Sequence, residues 1–330
     1  MDELEARIRA ARPGVATRSM PLGARAEDDL ARLLASATPE PEPTRGTLRS
    51  TRLMRVAAVL VVSLATLVAV PWVISTPAAA HTPPPLELTA ASAGVEEVAM
   101  AASDRLRGVA GPHAAERRSD STGWYLHIDY RADLTSKVAI SPEVTSLTWR
   151  ADLSGRRVIT AGVPYWADGS RSPVDSRGAR EPGTVLFDTV YRPGEFEPAV
   201  TDTPGNDAES TLAFLRAYGM PETPSASDVM QATLFAFMDW TLSNEQHAHI
   251  LNLLVATNEA AVAGSGMDRI DRPITAIAAN STANPDFRYL LLVSERTGRI
   301  VGVETTRRFP SDDLPAGAVT SYTLWDAEST

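Results

Sequence analysis

The residues of this 330-residue chain best suited to proton transfer or metal binding are five histidines: His81, His113, His127, His247 and His249. His247 and His249 are two apart. On a helix that spacing separates them by about 200°, whereas a shared metal needs neighbours at i and i+4. Both are therefore expected as solvated helix residues. His127 falls on the polar face of an alternating stretch with Asp129 two residues on. That spacing allows a carboxylate–imidazole pair, but an exposed strand face accounts for it more simply. Gly264-Ser265-Gly266 is too short for a nucleophile elbow, which needs G-x-S-x-G between a strand and a helix. There is no G-x-G-x-x-G and no phosphate-cradling G-x-x-x-x-G-K, and acidic pairs such as Glu96-Glu97 and Asp312-Asp313 are expected to be solvated. With no cysteine, disulfides, thiolate zinc ligands and thiol redox chemistry are all excluded. The expectation is a chain with no catalytic site, no metal and no cofactor.

The strongest pattern concerns placement. From Val56 to Ala80 no residue is charged, and Arg45, Arg49, Arg52 and Arg55 precede the run. A hydrocarbon core of about 30 Å needs roughly 20 apolar residues in a helix. The run supplies them around Val56, Leu60 and Leu67, with no polar face. After it no Lys or Arg occurs until Arg105, so the positive-inside rule places residues 1–55 in the cytoplasm and the bulk outside. Trp72 suits the outer interface. Ala78-Ala79-Ala80 carries the small-x-small pattern of a signal-peptide cleavage site. A 55-residue leader and so long an apolar core favour an anchor over a cleaved signal.

Charge divides unevenly. Residues 1–55 carry net +2 and the remainder −12. An acidic exterior argues against a nucleic-acid or anionic-membrane surface there. Lys137 is the only lysine, which reads as a trace of a GC-rich genome.

Four parts follow: a cytoplasmic segment 1–55, a transmembrane helix 56–76, a Pro-rich tether 77–92 and an extracytoplasmic domain 93–330. In the first part Leu4 and Ile8 share one helical stripe, and Leu30, Leu33 and Leu34 share another. These are the candidate contacts for a cytoplasmic partner. A tail with residual helicity is the alternative, because neither helix is long enough to be stable alone. The outer part opens with a helix over 94–107 that turns Val95, Val98, Ala99, Ala102 and Leu106 inward. Alternation over Gly123–Tyr130, Leu147 with Trp149 on one face of the next strand, and Arg157–Thr160 predict an antiparallel meander. Residues 162–183 read as loops around short edge strands. Helices are predicted over Ala208–Tyr218, over Ala226–Leu242, and from a Ser243/Gln246 capping box to about Glu259. Strands are predicted at Arg269–Ala278, Asp286–Ser294, Arg299–Thr306 and Val319–Trp325, with a tight turn at Glu295–Gly298. The fold class is α+β with a mostly antiparallel sheet packed on helices.

The acidic-led helix within Pro204–Tyr218 (PGNDAESTLAFLRAY), the helical pair after it, and the hairpin within Tyr289–Glu304 (LLLVSERTGRIVGVE) resemble a family of actinobacterial single-pass membrane proteins often encoded beside extracytoplasmic-function sigma factors. The resemblance covers most of the chain. It implies an outer domain similar to the fold of periplasmic lipoprotein carriers and of the periplasmic regulator of the envelope-stress sigma factor. It also implies a ligand such as an acyl chain or an unfolded polypeptide, and a sigma factor as cytoplasmic partner. The chain departs from many membrane anti-sigma factors in having no zinc motif, since it lacks Cys and has no His before His81. Residues 1–55 are also shorter than the usual four-helix sigma-wrapping unit. The expected function is a membrane-anchored sensory or regulatory protein, with action on a sigma factor in an anti-sigma manner as the expected output. The alternative is an anchored lipid- or peptide-binding module without signalling. The aromatics are core candidates first. If an apolar ligand is held, Trp149 with Phe235, Phe237 and Trp240 are the expected lining.

Overall fold

The computed structural model describes residues 82–126 and 138–325. The anchor (Arg52, Arg55, Val56, Leu60, Leu67, Trp72) and the cytoplasmic stripe (Leu4, Ile8, Leu30, Leu33, Leu34) lie outside the described residues, as do His127 and Asp129. Among the described residues no helix is long and apolar enough to cross a membrane.

Ten strands form one antiparallel sheet: β1 (Leu88–Thr89), β2 (Arg118–Tyr125), β3 (Glu143–Trp149), β4 (Gly155–Ala161), β5 (Val185–Tyr191), β6 (Ala261–Met267), β7 (Pro273–Asn280), β8 (Phe287–Ser294), β9 (Ile300–Arg307) and β10 (Val319–Trp325). Among the described residues four helices accompany them: α1 (Val95–Gly108), α2 (Ala208–Ala217), α3 (Ala226–Phe237) and α4 (Asn244–Thr257). The strand order is β1-β6-β7-β8-β9-β10-β2-β3-β4-β5. The last strand thus joins the early meander β2–β5 to the late one β6–β9, with Tyr322 opposite Trp124 on one side and Glu304 on the other.

The sheet carries apolar side chains on both faces. On β8, Leu291 and Val293 belong to the cluster that includes the helices, while Leu290 and Leu292 belong to a second cluster with Ile274, Ala276, Tyr322 and Leu324. This follows from period-two geometry applied to an unbroken apolar run. The helical face is held by caps the sequence announces. Ser243 Oγ accepts from Gln246 N, and Gln246 Oε1 accepts from Ser243 N at 2.9 Å. Asp207 Oδ1 accepts from Ser210 N at 2.8 Å, and Ser225 caps α3 in the same manner. Each cap contributes about 1 kcal/mol. In the β8–β9 turn Gly298 has φ +76° and lies so close to the Ala102 carbonyl of α1 that no side chain fits.

Several boundaries differ from expectation, each for a tertiary reason. The helix expected over Ala226–Leu242 ends at Phe237, because its end is claimed from outside. Ser119 Oγ donates to the Phe237 carbonyl at 2.5 Å, Trp149 Nε1 donates to the Asp239 carbonyl at 2.9 Å, and Thr241 bridges Glu116. Strand β2 starts at Arg118 rather than Gly123, because its polar first residues Arg118, Ser119 and Asp120 pair with β3 before β10 joins from Ser121 onward. Strand β7 starts at Pro273, because Asp268–Arg272 folds into a turn with Arg272 Nε donating to Asp268 Oδ2 at 2.7 Å. Neither β5 nor the glycine-bearing β6 was foreseen. The second half of the predicted tether is part of the fold: Leu86 and Leu88 pack on the second cluster and β1 pairs with β6.

Candidate functional site

A cavity of about 880 Å³ opens on the sheet face opposite the helices. Its floor is sheet: Thr122, Val144, Tyr322 and Leu324. One wall is the chain segment Pro84–Glu87, another is the loop Gly162–Arg171, and a third is the end of β6 with Met267, Arg269 and Ile270. Four of its lining side chains are exposed large apolar groups: Val144 (40%), Val163 (49%), Met267 (50%) and Ile270 (39%). Isolated exposed apolar residues are ordinary, but several around one concavity mark a binding surface.

At the base sits a paired polar network. Glu304 has no exposure and projects from β9. Arg269 donates to it twice, Nε to Oε1 and Nη2 to Oε2, each at 2.9 Å. Arg269 Nη2 also donates to the Pro84 carbonyl at 2.9 Å, and its guanidinium lies 4.7 Å from the Tyr322 ring centre. The Tyr322 and Tyr165 hydroxyls hydrogen-bond at 3.2 Å. Burial pushes the Glu304 carboxyl above its usual range, with the Arg269 cation opposing. Burial works against the Arg269 cation, but the Glu304 carboxylate outweighs it and holds the guanidinium above its ordinary value. Burial also raises both phenols, so Tyr165 and Tyr322 keep their hydroxyl protons at neutral pH. These groups satisfy one another, leaving a cleft whose walls carry exposed apolar side chains beside Glu87, Asp168 and Arg171, over a pre-paired polar floor. That arrangement suits holding an apolar or amphipathic molecule and contains no nucleophile–base pair.

The residues expected to line a ligand site lie elsewhere. Trp149, Phe237 and Trp240 are buried in the helix-side core, and Phe235 is 45% exposed on α3. None borders the cleft. Trp149 and Trp240 pack edge to face at 4.8 Å, with the Arg117 guanidinium 5.1 and 5.3 Å from their ring centres. Phe237 and Trp240 border a cavity of about 40 Å³ with His247. His247 is a correction: it is fully buried, not solvated. Its Nδ1 accepts from Ile300 N at 3.0 Å, which puts the ring proton on Nε2. Burial and then the nearby Arg299 cation hold its pKa well below 6.5. Ser265, in the short Gly-Ser-Gly run, lies in β6 with its hydroxyl on Thr275 at 2.9 Å. Among the described residues no group of three or more His, Asp or Glu is placed to hold a metal.

The cleft residues carried a faint signal. Glu304 is a lone acid at the end of an apolar run, and Arg269 follows a glycine-bearing stretch. Their pairing across 35 residues is visible only once β6 and β9 are placed. No protein-family model matches this chain, and no curated protein or solved structure matches it either.

Proposed function

We propose that this chain is a membrane-anchored extracytoplasmic sensor whose cleft takes an apolar or amphipathic ligand, an acyl chain or an unfolded apolar segment. Its cytoplasmic stripe reports to a partner, for which the sequence resemblance points to a sigma factor. The observation that carries the reading is the cleft itself, about 880 Å³ with exposed Val144, Val163, Met267 and Ile270 around it. The uncharged run Val56–Ala80 and its arginine flank support the anchor.

Photo-crosslinking tests it. Full-length protein in lipid nanodiscs is exposed to a palmitic acid bearing a diazirine, and adducts are located by mass spectrometry. Adducts on the peptides holding Val163, Met267 and Ile270, lost in a Val163→Asp/Ile270→Asp variant, support the cleft. Adducts scattered without regard to that variant sink it. Deleting residues 1–36 separates sensor from passive module. If no sigma-dependent transcript changes, the signalling half fails and an anchored binding module remains.

A further inference from the structure

The segment that walls the cleft is the same segment that leads back toward the proposed anchor. Pro84, Pro85, Leu86 and Glu87 line the cavity. Their hold on the rest of the fold is slight. β1 contributes two ladder pairs, Leu88 with Gly266 and Thr89 with Ser265, where every other neighbouring pair of strands shares at least five. Leu86 and Leu88 are only half-buried, and Arg269 adds one hydrogen bond to the Pro84 carbonyl. The approach depends on missing side chains. A Cβ on Gly264, which has φ +147°, would stand 2.5 Å from the Thr89 carbonyl oxygen, and one on Gly266 would strike that of Glu87.

We infer that residues 84–89 form a clasp coupled to the cleft: a filled cleft holds the clasp shut, and an empty one lets it peel from β6. The inference rests on the reading of the cleft as a ligand site. Its sign follows from linkage. The wall contacts from Pro84 to Glu87 exist only in the docked form, so a ligand that uses them binds that form more tightly and shifts the population toward it. Docking strengthens ligand binding by the same factor. When the clasp peels, Arg269 keeps Glu304 and turns its freed N–H to water. Release of residues 84–89 together with Pro83, which is buried in the docked form, lengthens the tether by about 20 Å at full extension. Ligand occupancy is thereby converted into the reach between domain and membrane.

A reversible lock tests the clasp. The chain has no cysteine of its own. A Thr89→Cys/Ser265→Cys variant therefore offers one cross-link, between residues directly opposite in an antiparallel ladder and within disulfide span. The full-length variant in nanodiscs is titrated with diazirine palmitic acid, oxidised and reduced, and amide hydrogen exchange is followed at Leu86–Thr89. Half-saturation of cleft adducts is expected at a probe concentration about five-fold or more lower in the oxidised form. In the reduced form the probe raises protection of Leu86–Thr89. Gly266→Val shifts half-saturation the other way. Cleft adducts with equal half-saturation in both redox forms and unchanged exchange would overturn the clasp and leave the ligand site standing. Absence of cleft adducts in both forms would overturn both.

Discussion

The two faces of the sheet use the same strands for opposite ends. On the helical face α1–α4 cover the sheet, and Trp240, Leu251 and Leu291 are fully enclosed. On the other face Ile274, Leu292 and Leu324 are equally buried, but among the described residues the cover is a loop and a two-residue strand, and a cleft remains. Burial therefore does not distinguish the faces; the stability of the cover does. A face capped by helices with satisfied ends is a stable core. A face capped by a few loop contacts opens at little cost and is free to serve a ligand.

The contrast is most sharply tested by truncation. Trp240→Ala should lower unfolding free energy by about 3–5 kcal/mol in urea titrations of the full chain. Ile270→Ala on the cleft rim should cost less than about 1 kcal/mol. An apolar residue of the cleft rim costing as much as Trp240 would erase the distinction. Glu304→Gln probes a buried ion pair beneath the open face. It leaves Arg269 buried without its counter-charge and should cost about 3–5 kcal/mol, largely recovered in a Glu304→Leu/Arg269→Met double variant.

On the helical face a pH response is expected from His247. His247 has a folded-state pKa below its unfolded value near 6.5. Below that pH the unfolded chain takes up a proton that the folded one refuses. The stability this histidine permits is thus present above about pH 6.5 and is lost as pH falls toward its depressed folded value, by at most about 1.4 kcal/mol per pH unit. Urea midpoints at pH 7 and 5.5, with imidazole carbon shifts read by NMR, check the sign. A ring that titrates near 6.5 in the folded protein would refute it. The smallest effect expected is that of Phe235→Ser, within about 0.5 kcal/mol and with no change in probe capture, because this side chain stands outside both the core and the cleft.

What the sequence made legible was local. The Ser243/Gln246 box, the stripe from Val95 to Leu106 and the Glu295–Gly298 turn announce themselves within a few residues, and each formed as read. What it hid was set by partners far away. β6 (AVAGSGM) has poor strand propensity and exists because β7 pairs with it, while its glycines admit β1. β5 carries the β-favouring VLFDTVY but lies between a turn-rich stretch and a proline-bearing one, and no element is predicted there from the sequence. The site was hidden for the same reason. The aromatics read first as core, which Trp240 and Phe237 are, whereas the cleft is made by proline, valine and a buried ion pair whose contacts join segments 35 and 185 residues apart.

The position of β10 sets a schedule. Edge pairing for β2 and for β9 is completed only by β10. About 130 residues separate the end of β5 from the start of β10, so at ordinary translation speeds of 5–20 residues per second a finished early meander waits roughly 6–26 s with β2 unpaired on one side. In that interval the nascent chain presents two strand edges instead of one, β2 together with β5, where Val185, Phe187 and Val190 are exposed. The hazard of misassociation is greatest before the ribosome has finished, and a chaperone that engages the half-made β2–β5 meander would protect yield more than any added stability of the finished domain.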